Sequence, residues 1–317
     1  MSNIDINKVV DLLSYMSKHL CLSLKDVYNV ALTAPYRYKT YKIPKKRPGE
    51  FRTISQPAKE VKLLQRFVVT NLLPELPMHN TATAYSKGSS IKLNALKHVE
   101  NSYLLKMDFS NFFPSIVPDD FFSHLKKYLP GKFNDEELFI LSRILFWRNK
   151  ETNSLQLSIG SPGSPYLSNS IMYNFDTIIS AFCNDLGVVY TRYADDLSFS
   201  TNKNNTLIII VKRVNTLVDE INYPKLIINT DKTIFCSKKY NRRVTGIVLS
   251  NDNTISLGRE KKRIISSKIH HYINNKLAEQ EIASLKGILA FAKDVEPEFL
   301  ERLAIKYGDS ILHKLIK

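Results

Sequence analysis

Hydrophobic side chains recur every three or four positions in several stretches of the chain, and this spacing predicts helices. The stretches cover residues 5–20, 24–32, 59–73, 118–129, 164–186 and 206–220. Gly187 follows the stretch 164–186 directly, as expected of a glycine just past a helix C-terminus. The chain beyond Gly258 repeats the same spacing with isoleucine-rich faces. Helices are therefore expected along the whole chain and dominate its C-terminal part.

Shorter apolar runs lie between these helices and predict strands. They cover residues 103–107, 225–229, 233–236 and 243–249, and two further strand-like runs flank Ala194–Asp195. Residues 36–57 alternate around Pro48–Gly49 and predict a hairpin in which Lys45 faces Arg52. The fold class is therefore α+β. We expect an N-terminal helical segment at 1–35, a mixed body at 36–250 and a helical subdomain at 251–317.

The charge balance narrows the choice of partner. Among 317 residues, 45 are Lys or Arg and 30 are Asp or Glu, which gives a net charge of +15. Such an excess favours a polyanionic partner, with nucleic acid first and an anionic membrane surface second. The densest positive region runs from Tyr36 to Arg66. A nucleic-acid-binding protein is thus the leading class.

Features tied to secretion or membranes are missing from the sequence. The three cysteines have no CxxC spacing, which suggests neither a zinc site nor a disulfide framework. The N-terminus does not have the pattern of a signal peptide, and no run approaches the roughly 20 apolar residues of a membrane span. We expect a cytoplasmic protein with no membrane partner.

Two adjacent carboxylates, Asp195 and Asp196, interrupt the strand-like sequence at residues 188–200. Two such groups at a tight turn between packed strands repel each other and lose hydration. A divalent cation relieves both costs, and Mg²⁺ prefers carboxylate oxygens. Asp108 ends another apolar strand and could supply a third carboxylate. Three converging carboxylates can hold two Mg²⁺ ions for phosphoryl transfer.

Several motifs resemble those of reverse transcriptases, and they occur in the order of that family. Tyr193–Asp196 resembles the YxDD box, and residues 106–116 (KMDFSNFFPSI) resemble the motif with the first catalytic Asp. Residues 160–165 (GSPGSP) and 229–233 (NTDKT) resemble the glycine/proline loop and the lysine motif. The resemblance implies a right-hand polymerase with fingers, an antiparallel palm sheet and a helical thumb.

Two further stretches resemble signatures of bacterial retron reverse transcriptases. Residues 94–98 (NALKH) match their NAxxH signature, and residues 244–246 match their VTG signature. The resemblance implies an RNA-directed DNA polymerase that starts DNA synthesis at a 2′-OH of its own non-coding RNA. Its product is then a branched RNA–DNA molecule, msDNA. A role in anti-phage defence with an effector protein is implied in the same way.

The same resemblance assigns roles to individual residues. It implies catalytic carboxylates at Asp108, Asp195 and Asp196, with Phe109 as a further ligand of two Mg²⁺ ions. Contacts to the dNTP substrate are expected from Lys45, Arg52, Phe113, Gly160, Ser161, Pro162 and Lys232, with Phe113 as the steric gate against a 2′-OH. Contacts to the RNA or primer are expected from Asn94, His98, Arg242, Arg243, Val244, Thr245, Gly246, Arg259, Lys262 and Arg263.

Two alternatives stay open from the sequence. One is a different bacterial reverse transcriptase, of the group II intron or diversity-generating type. The other is a non-catalytic RNA-binding protein on a polymerase fold, although all three carboxylates are retained. The chain also departs from many relatives at Ile159, where they carry Gln, so a polar contact at this position is absent or comes from elsewhere.

Overall fold

The computed structural model describes residues 9–44 and 49–316. The helices are α1 Val10–Leu20, α2 Leu24–Thr33, α3 Lys59–Phe67, α4 Ile91–Leu96, α5 Pro118–Tyr128, α6 Asp135–Leu145, α7 Gly163–Ile171, α8 Tyr173–Leu186, α9 Thr206–Glu220, α10 Arg259–Ile273, α11 Glu279–Val295, α12 Pro297–Tyr307 and α13 Asp309–Ile316. The strands are β1 Tyr38–Pro44, β2 Phe51–Pro57, β3 Tyr103–Ser110, β4 Trp147–Arg148, β5 Leu155–Gln156, β6 Val189–Tyr193, β7 Asp196–Thr201, β8 Ile227–Ile228, β9 Ile234–Ser237, β10 Arg242–Val244, β11 Ile247–Leu249 and β12 Ile255–Ser256. The predicted α+β class is confirmed.

An antiparallel sheet forms the centre of the molecule. Its strand order is β6-β7-β3, and both β8 and β9 pair with the free edge of β3. Strand β3 is buried along most of its length, because helices cover one face of the sheet and its apolar residues pack against them. The predicted strands at 103–107 and on both sides of Ala194–Asp195 all belong to this sheet. It is the element that positions the candidate site.

The fingers hairpin β1–β2 has a different register from the predicted one. Arg52 pairs with Ile43, and Pro44 pairs with Phe51, so the strands are offset by two residues from the pairing of Lys45 with Arg52. The register is set at the base of the hairpin, where Ser55 is buried beside Thr40 and its N–H donates to the Ile159 carbonyl at 2.9 Å. Lys45 itself lies outside the described residues.

Several helices differ from the predicted spans for identifiable reasons. The stretch 164–186 forms two helices, α7 and α8, which meet at Met172. The stretch 59–73 ends in a π-type segment at Val68–Leu72. Helix α6 was missed because its apolar residues are nearly continuous, although Asn134 and Glu137 form a capping box at its start.

The buried side chains form two clusters. The larger one unites the central sheet with α5–α9 and also takes in α1 and α2, so the described part of the N-terminal segment, residues 9–35, packs onto the body of the protein. The smaller one joins α10–α13 to β10 and β11, together with Ala95 of α4 and Leu104 of β3. Side chains of the small sheet β10–β12 thus pack with the C-terminal helices, although the expected division lies after residue 250.

Among the described residues, no helix combines the length and the apolar character needed to cross a bilayer.

Candidate active site

The site forms where the end of β3 meets the turn between β6 and β7. Asp108 is paired with Asp196 across the antiparallel ladder, and Tyr193 pairs with Asp196 to close the turn. The backbone N–H of Phe109 donates to the carbonyl of Asp195 at 3.2 Å. The register of these strands therefore places three carboxylates close together at the same end of the sheet.

The turn itself has an unfavourable backbone conformation. Ala194 has φ of +56°, a left-handed conformation that costs a non-glycine residue roughly 1–2 kcal/mol. The Arg192 guanidinium stabilises it, because Nη1 donates to the Ala194 carbonyl at 3.1 Å. Arg192 is fully buried and forms an ion pair with Asp176 of α8 at 2.6 Å. This pair was missed from the sequence, since Arg192 reads there as one more basic residue.

The buried ion pair has further partners that tie three parts of the chain together. Tyr190 donates its hydroxyl to Asp176 at 2.7 Å, and Asn169 of α7 accepts from Arg192 at 3.1 Å. The amide of Asn169 also donates to the Ala84 carbonyl at 2.7 Å. Helices α7 and α8, the turn and the segment around Ala84 are thus held by one network beneath the carboxylates.

The carboxylates raise each other's proton affinity. Burial first, and then the nearby charges of Asp196 and Asp108, raise the pKa of Asp195 to about 6. Burial also raises the pKa of Asp196, and Asp108 adds to this effect. Lys232 supplies positive charge, because its Nζ donates to Asp108 Oδ1 at 2.8 Å. The cluster is therefore short of positive charge, and it attracts cations.

Loss of the Asp195 charge should stabilise the metal-free protein. Between pH 4 and 6 the folded state binds more protons than the unfolded one, so the ionised carboxylate destabilises the fold above pH 6. We expect Asp195→Asn to raise the free energy of unfolding at pH 7.5 by about 1–2 kcal/mol, because partial exposure reduces the full effect. Urea unfolding in EDTA measures it.

The gain should disappear as the pH falls to about 4, since wild-type Asp195 is then protonated when folded. Asp185→Asn, on the exposed end of α8, is the matched control and should leave stability unchanged. A variant that is less stable than wild type at pH 7.5 would contradict this account of the site.

The candidate gate residue, Phe113, lies on the turn after β3. Its ring is half-buried and contacts Phe112 at 5.4 Å between centroids, and Phe112 stacks on Phe109 at 5.8 Å. Asn111 has φ of +50°, which turns the chain sharply after the strand. A short aromatic stack therefore fixes Phe113 relative to the carboxylates.

The glycine-rich loop packs against the fingers hairpin. A Cβ on Gly160, whose φ is +114°, would lie 3.1 Å from Ile54 Cγ2 and 3.3 Å from the Ser55 carbonyl oxygen. Ser161 is buried and donates to Gln65 Oε1 at 2.7 Å, so its hydroxyl faces inward, contrary to the expected nucleotide contact. Pro162 leads into α7. The carbonyl of Ile159 accepts the hydrogen bond from Ser55 of the hairpin.

Asn94 and His98 were expected to contact the RNA or primer. Both are buried, so they form no contact surface in this structure. His98 is 0% exposed, and its two ring nitrogens lie 2.7 Å from the hydroxyls of Ser200 and Thr191. Burial lowers the pKa of His98 to about 3, so the ring is neutral. Its role in the structure is to join the region of α4 to strands β6 and β7.

The VTG stretch forms a tight turn between β10 and β11. Thr245 and Gly246 have φ of +47° and +83°, and Val244 pairs with Ile247. Thr245 donates its hydroxyl to the Ile91 carbonyl of α4 at 3.2 Å. Val244 is buried, so only the turn itself reaches solvent.

The five Lys or Arg residues expected at the RNA or primer differ in their availability. Arg242 is buried and donates to the carbonyls of Asn101 and Ser250, so its expected phosphate contact does not fit this structure. Lys262 is bound to Glu296 at 2.5 Å. Arg259 and Arg263 lie four residues apart on the exposed face of α10 and fit a phosphate contact.

Arg243 is intermediate between these cases. Its side chain is 40% exposed and lies 3.9 Å from Glu260, a weak surface ion pair. It can therefore exchange this partner for a phosphate. Burial raises the pKa of Tyr85, Tyr193 and Asp195 add to this rise, and Arg52, exposed on β2, opposes it.

Tyr85 is a site residue that the sequence did not reveal. Its ring is 58% exposed, lies 6.5 Å from the ring of Tyr193 and has a backbone φ of +59°. The charges of Asp195 and Arg52 both act on the pKa of Tyr85. The residue therefore lies between the turn at Ala194 and the fingers hairpin. The only feature of the sequence that could have pointed to Tyr85 is its place as an aromatic residue before the loop-like Ser86–Lys87–Gly88.

Three features define the class of right-hand nucleic-acid polymerases. They are a central antiparallel sheet with carboxylates on paired strands, a hairpin such as β1–β2, and a C-terminal helical unit. The family model described as "Reverse transcriptase (RNA-dependent DNA polymerase)" matches residues 43–249. The chain is therefore an RNA-directed DNA polymerase.

Curated relatives identify the particular family. The chain is 42% identical to the Retron Ec83 reverse transcriptase of Escherichia coli, over 88% of this chain and 90% of the relative. It is 32% identical to the Retron Ec86 reverse transcriptase of Escherichia coli, over 96% and 93%. The chain belongs to the retron reverse transcriptases. A solved apo telomerase from Candida tropicalis gives a TM-score of 0.46 at 13% identity, over 70% of this chain and 55% of that one, values too low to define a fold.

Proposed function

We propose that the chain extends DNA from a 2′-OH of a cognate non-coding RNA, with two Mg²⁺ ions, and so makes branched msDNA. The observation that carries the catalytic part is the pairing of Asp108 with Asp196 beside Asp195 on the turn. Membership of the retron family supports the primer and the product. The net charge of +15 supports a nucleic-acid substrate.

The carboxylate cluster fits divalent cations by its chemistry. Hard carboxylate oxygens are the ligands that Mg²⁺ prefers, and burial, followed by the charges of Asp196 and Asp108, raises the pKa of Asp195, a cost that a cation would relieve. Within the described residues, no group of three or more Asp, Glu, His or Cys side chains is arranged as a complete metal-binding site. The Lys232 ammonium, bound to Asp108, stands in for part of the missing positive charge. When bound, paired ions would acidify the attacking hydroxyl and neutralise the departing pyrophosphate.

The protein's own groups would hold and orient the nucleotide. Asp108, Asp195, Asp196 and the Phe109 position would hold the ions. Lys232 has a half-exposed side chain that can turn from Asp108 toward a triphosphate once cations neutralise the carboxylate. Arg52, exposed on β2 near Tyr85, would grip the same phosphates with its planar fork. Gly160 would let a backbone approach the nucleotide closely.

Removal of the Phe113 ring should relax sugar selection. We expect Phe113→Ala to increase the use of rNTPs relative to dNTPs by about 10–100-fold in kcat/KM, because discrimination by pocket shape has this size. Single-nucleotide extension with each substrate measures the ratio. Phe133→Ala is the matched control at an aromatic residue beyond α5 and should not alter it. An unchanged ratio in Phe113→Ala would exclude the gate.

Nucleic acid that co-purifies with the protein tests the retron product directly. After mild RNase treatment, sequencing should give one abundant RNA joined to a short DNA. The Asp195→Asn variant should retain the RNA and lack the DNA. A mixture of cellular RNAs without attached DNA would contradict the proposal.

The family also supports a role in anti-phage defence with an effector protein. Phage plating on cells with the native locus, compared with the same locus carrying Asp195→Asn, tests this role. Equal plating efficiency on both strains would refute a role that depends on DNA synthesis.

A further inference from the structure

Two neighbouring depressions lie at the base of the fingers hairpin and share Tyr36 and Tyr38. The first has a volume of about 230 Å³ and is also lined by Trp147, Arg148 and Lys150. The second has a volume of about 450 Å³ and adds Arg37, Lys39, Lys59 and Lys62. We refer to the two together as the Tyr36 groove. It shares no lining residue with the carboxylate cluster.

The charge of the Tyr36 groove is positive throughout. Among the residues that the structure describes, six Lys or Arg side chains line it and no acidic side chain does. The nearby acid Glu60 lies 3.9 Å from Arg37, and both side chains are more than a third exposed, so this pair is weak. The groove therefore favours a polyanion over a neutral ligand.

Aromatic rings lie among these charges. Tyr36 is 53% exposed, and the guanidinium groups of Arg143 and Arg148 lie 5.4 and 5.3 Å from its ring centre. The rings of Tyr38 and Trp147 are 6.1 Å apart, but Trp147 is only 6% exposed, so Tyr36 offers the main surface for stacking. Cations beside stacking surfaces are the chemistry that binds single-stranded nucleic acid, because phosphates pair with the charges and bases stack.

We propose that the Tyr36 groove binds a single-stranded segment of RNA at a site separate from the catalytic carboxylates. The inference deepens the proposed function, since it names a second contact for the same RNA partner. A protein partner fits less well, because the described lining of the groove includes no Leu, Ile, Val or Met side chain.

A buried hydrogen-bond chain links the groove to the glycine-rich loop. Gln65 Nε2 donates to the Tyr38 hydroxyl at 2.9 Å, and Gln65 Oε1 accepts from Ser161 at 2.7 Å. Gln65 is fully buried and also donates to the Ile144 carbonyl at 2.8 Å. RNA in the groove is thus held in a fixed position relative to the loop that precedes α7.

Intrinsic fluorescence gives a direct test, because Trp147 is the only tryptophan of the chain. A titration with an unstructured single-stranded RNA should change this fluorescence with saturation, in parallel with anisotropy of a labelled copy of the RNA. Lys39→Glu/Lys59→Glu should weaken binding by about 10-fold or more, because two phosphate contacts become repulsive. Tyr36→Ala should weaken it by about 5–10-fold through lost stacking.

Lys126→Glu/Lys212→Glu changes the net charge equally at exposed positions on α5 and α9 and is the matched control. The proposal is overturned if the groove variant binds RNA as tightly as the control does in the anisotropy titration. Stronger quenching by poly-glutamate than by RNA would point to an acidic protein instead and also overturn it.

Primer extension by the wild type on a pre-annealed RNA–DNA duplex separates the two proposals. If the wild type extends the primer but the groove and control variants bind RNA equally, only the proposal about the groove is refuted. If the wild type does not extend the primer but the groove variant alone loses RNA binding, the proposed function is refuted and the proposal about the groove stands.

Discussion

Asp195→Asn is expected to reduce primer extension on an RNA template by at least about 10³-fold. Asp195 lies on the turn beside Asp196, and its backbone carbonyl accepts from the Phe109 N–H, which fixes the turn next to Asp108. Loss of a proposed metal ligand would remove several kcal/mol of stabilisation of the developing charge, and each 1.36 kcal/mol is a factor of ten in rate. Extension with dNTPs across a Mg²⁺ titration measures the effect.

Asp185→Asn is the control for this substitution and should extend primers at the wild-type rate, because its side chain is exposed at the end of α8. Because Asp195→Asn is expected to be more stable than wild type, unfolding would not explain a loss of its activity. Extension by Asp195→Asn within about tenfold of the wild-type rate would remove this carboxylate from the catalytic set.

The second large effect is on stability. Asp176→Asn should lower the free energy of unfolding by about 3–5 kcal/mol, because Arg192 then keeps a buried charge without its counter-ion. Both side chains are 0% exposed, so solvent cannot compensate. Urea unfolding at pH 7.5 measures the loss. Asp219→Asn, on the exposed end of α9, is the matched control and should be neutral.

A double variant separates stability from positioning. Asp176→Leu/Arg192→Met removes both charges and should recover most of the stability lost in Asp176→Asn. It should still extend primers at least about tenfold more slowly than wild type, because the Ala194 carbonyl loses the donor that stabilises its strained turn. A stable double variant with wild-type kcat would show that the ion pair does not position the turn.

The local elements were largely predictable from the sequence. Apolar spacing located most helices, and the strand pattern around Asp108 and Ala194 located the central sheet. These signals work because each element buries one face, which fixes the period of its side chains. Helix α6 escaped because its nearly continuous apolar residues give no clear period, and the break at Met172 escaped because the helical spacing continues across it.

Contacts between distant residues were much less accessible. The sequence could not show that Arg242 and His98 are buried, because basic and imidazole side chains usually reach solvent. Ser161 appeared as part of a nucleotide loop, yet its hydroxyl is bound to Gln65, 96 positions away. Nor could the sequence indicate that Lys262 is neutralised by Glu296. Each depends on partners that lie far apart along the chain.

The sequence by itself determined the polymerase family and the three acidic residues, because short motifs keep their order and spacing whatever surrounds them. Only the tertiary structure decided which polar side chains remain available to a ligand. Burial and pairing remove some of them, as for Arg242, whereas packing brings others together in a groove, as for Tyr36 and Lys150. The physical reason is that solvent access and electrostatic environment arise from packing between elements, whereas periodicity reports only the elements themselves.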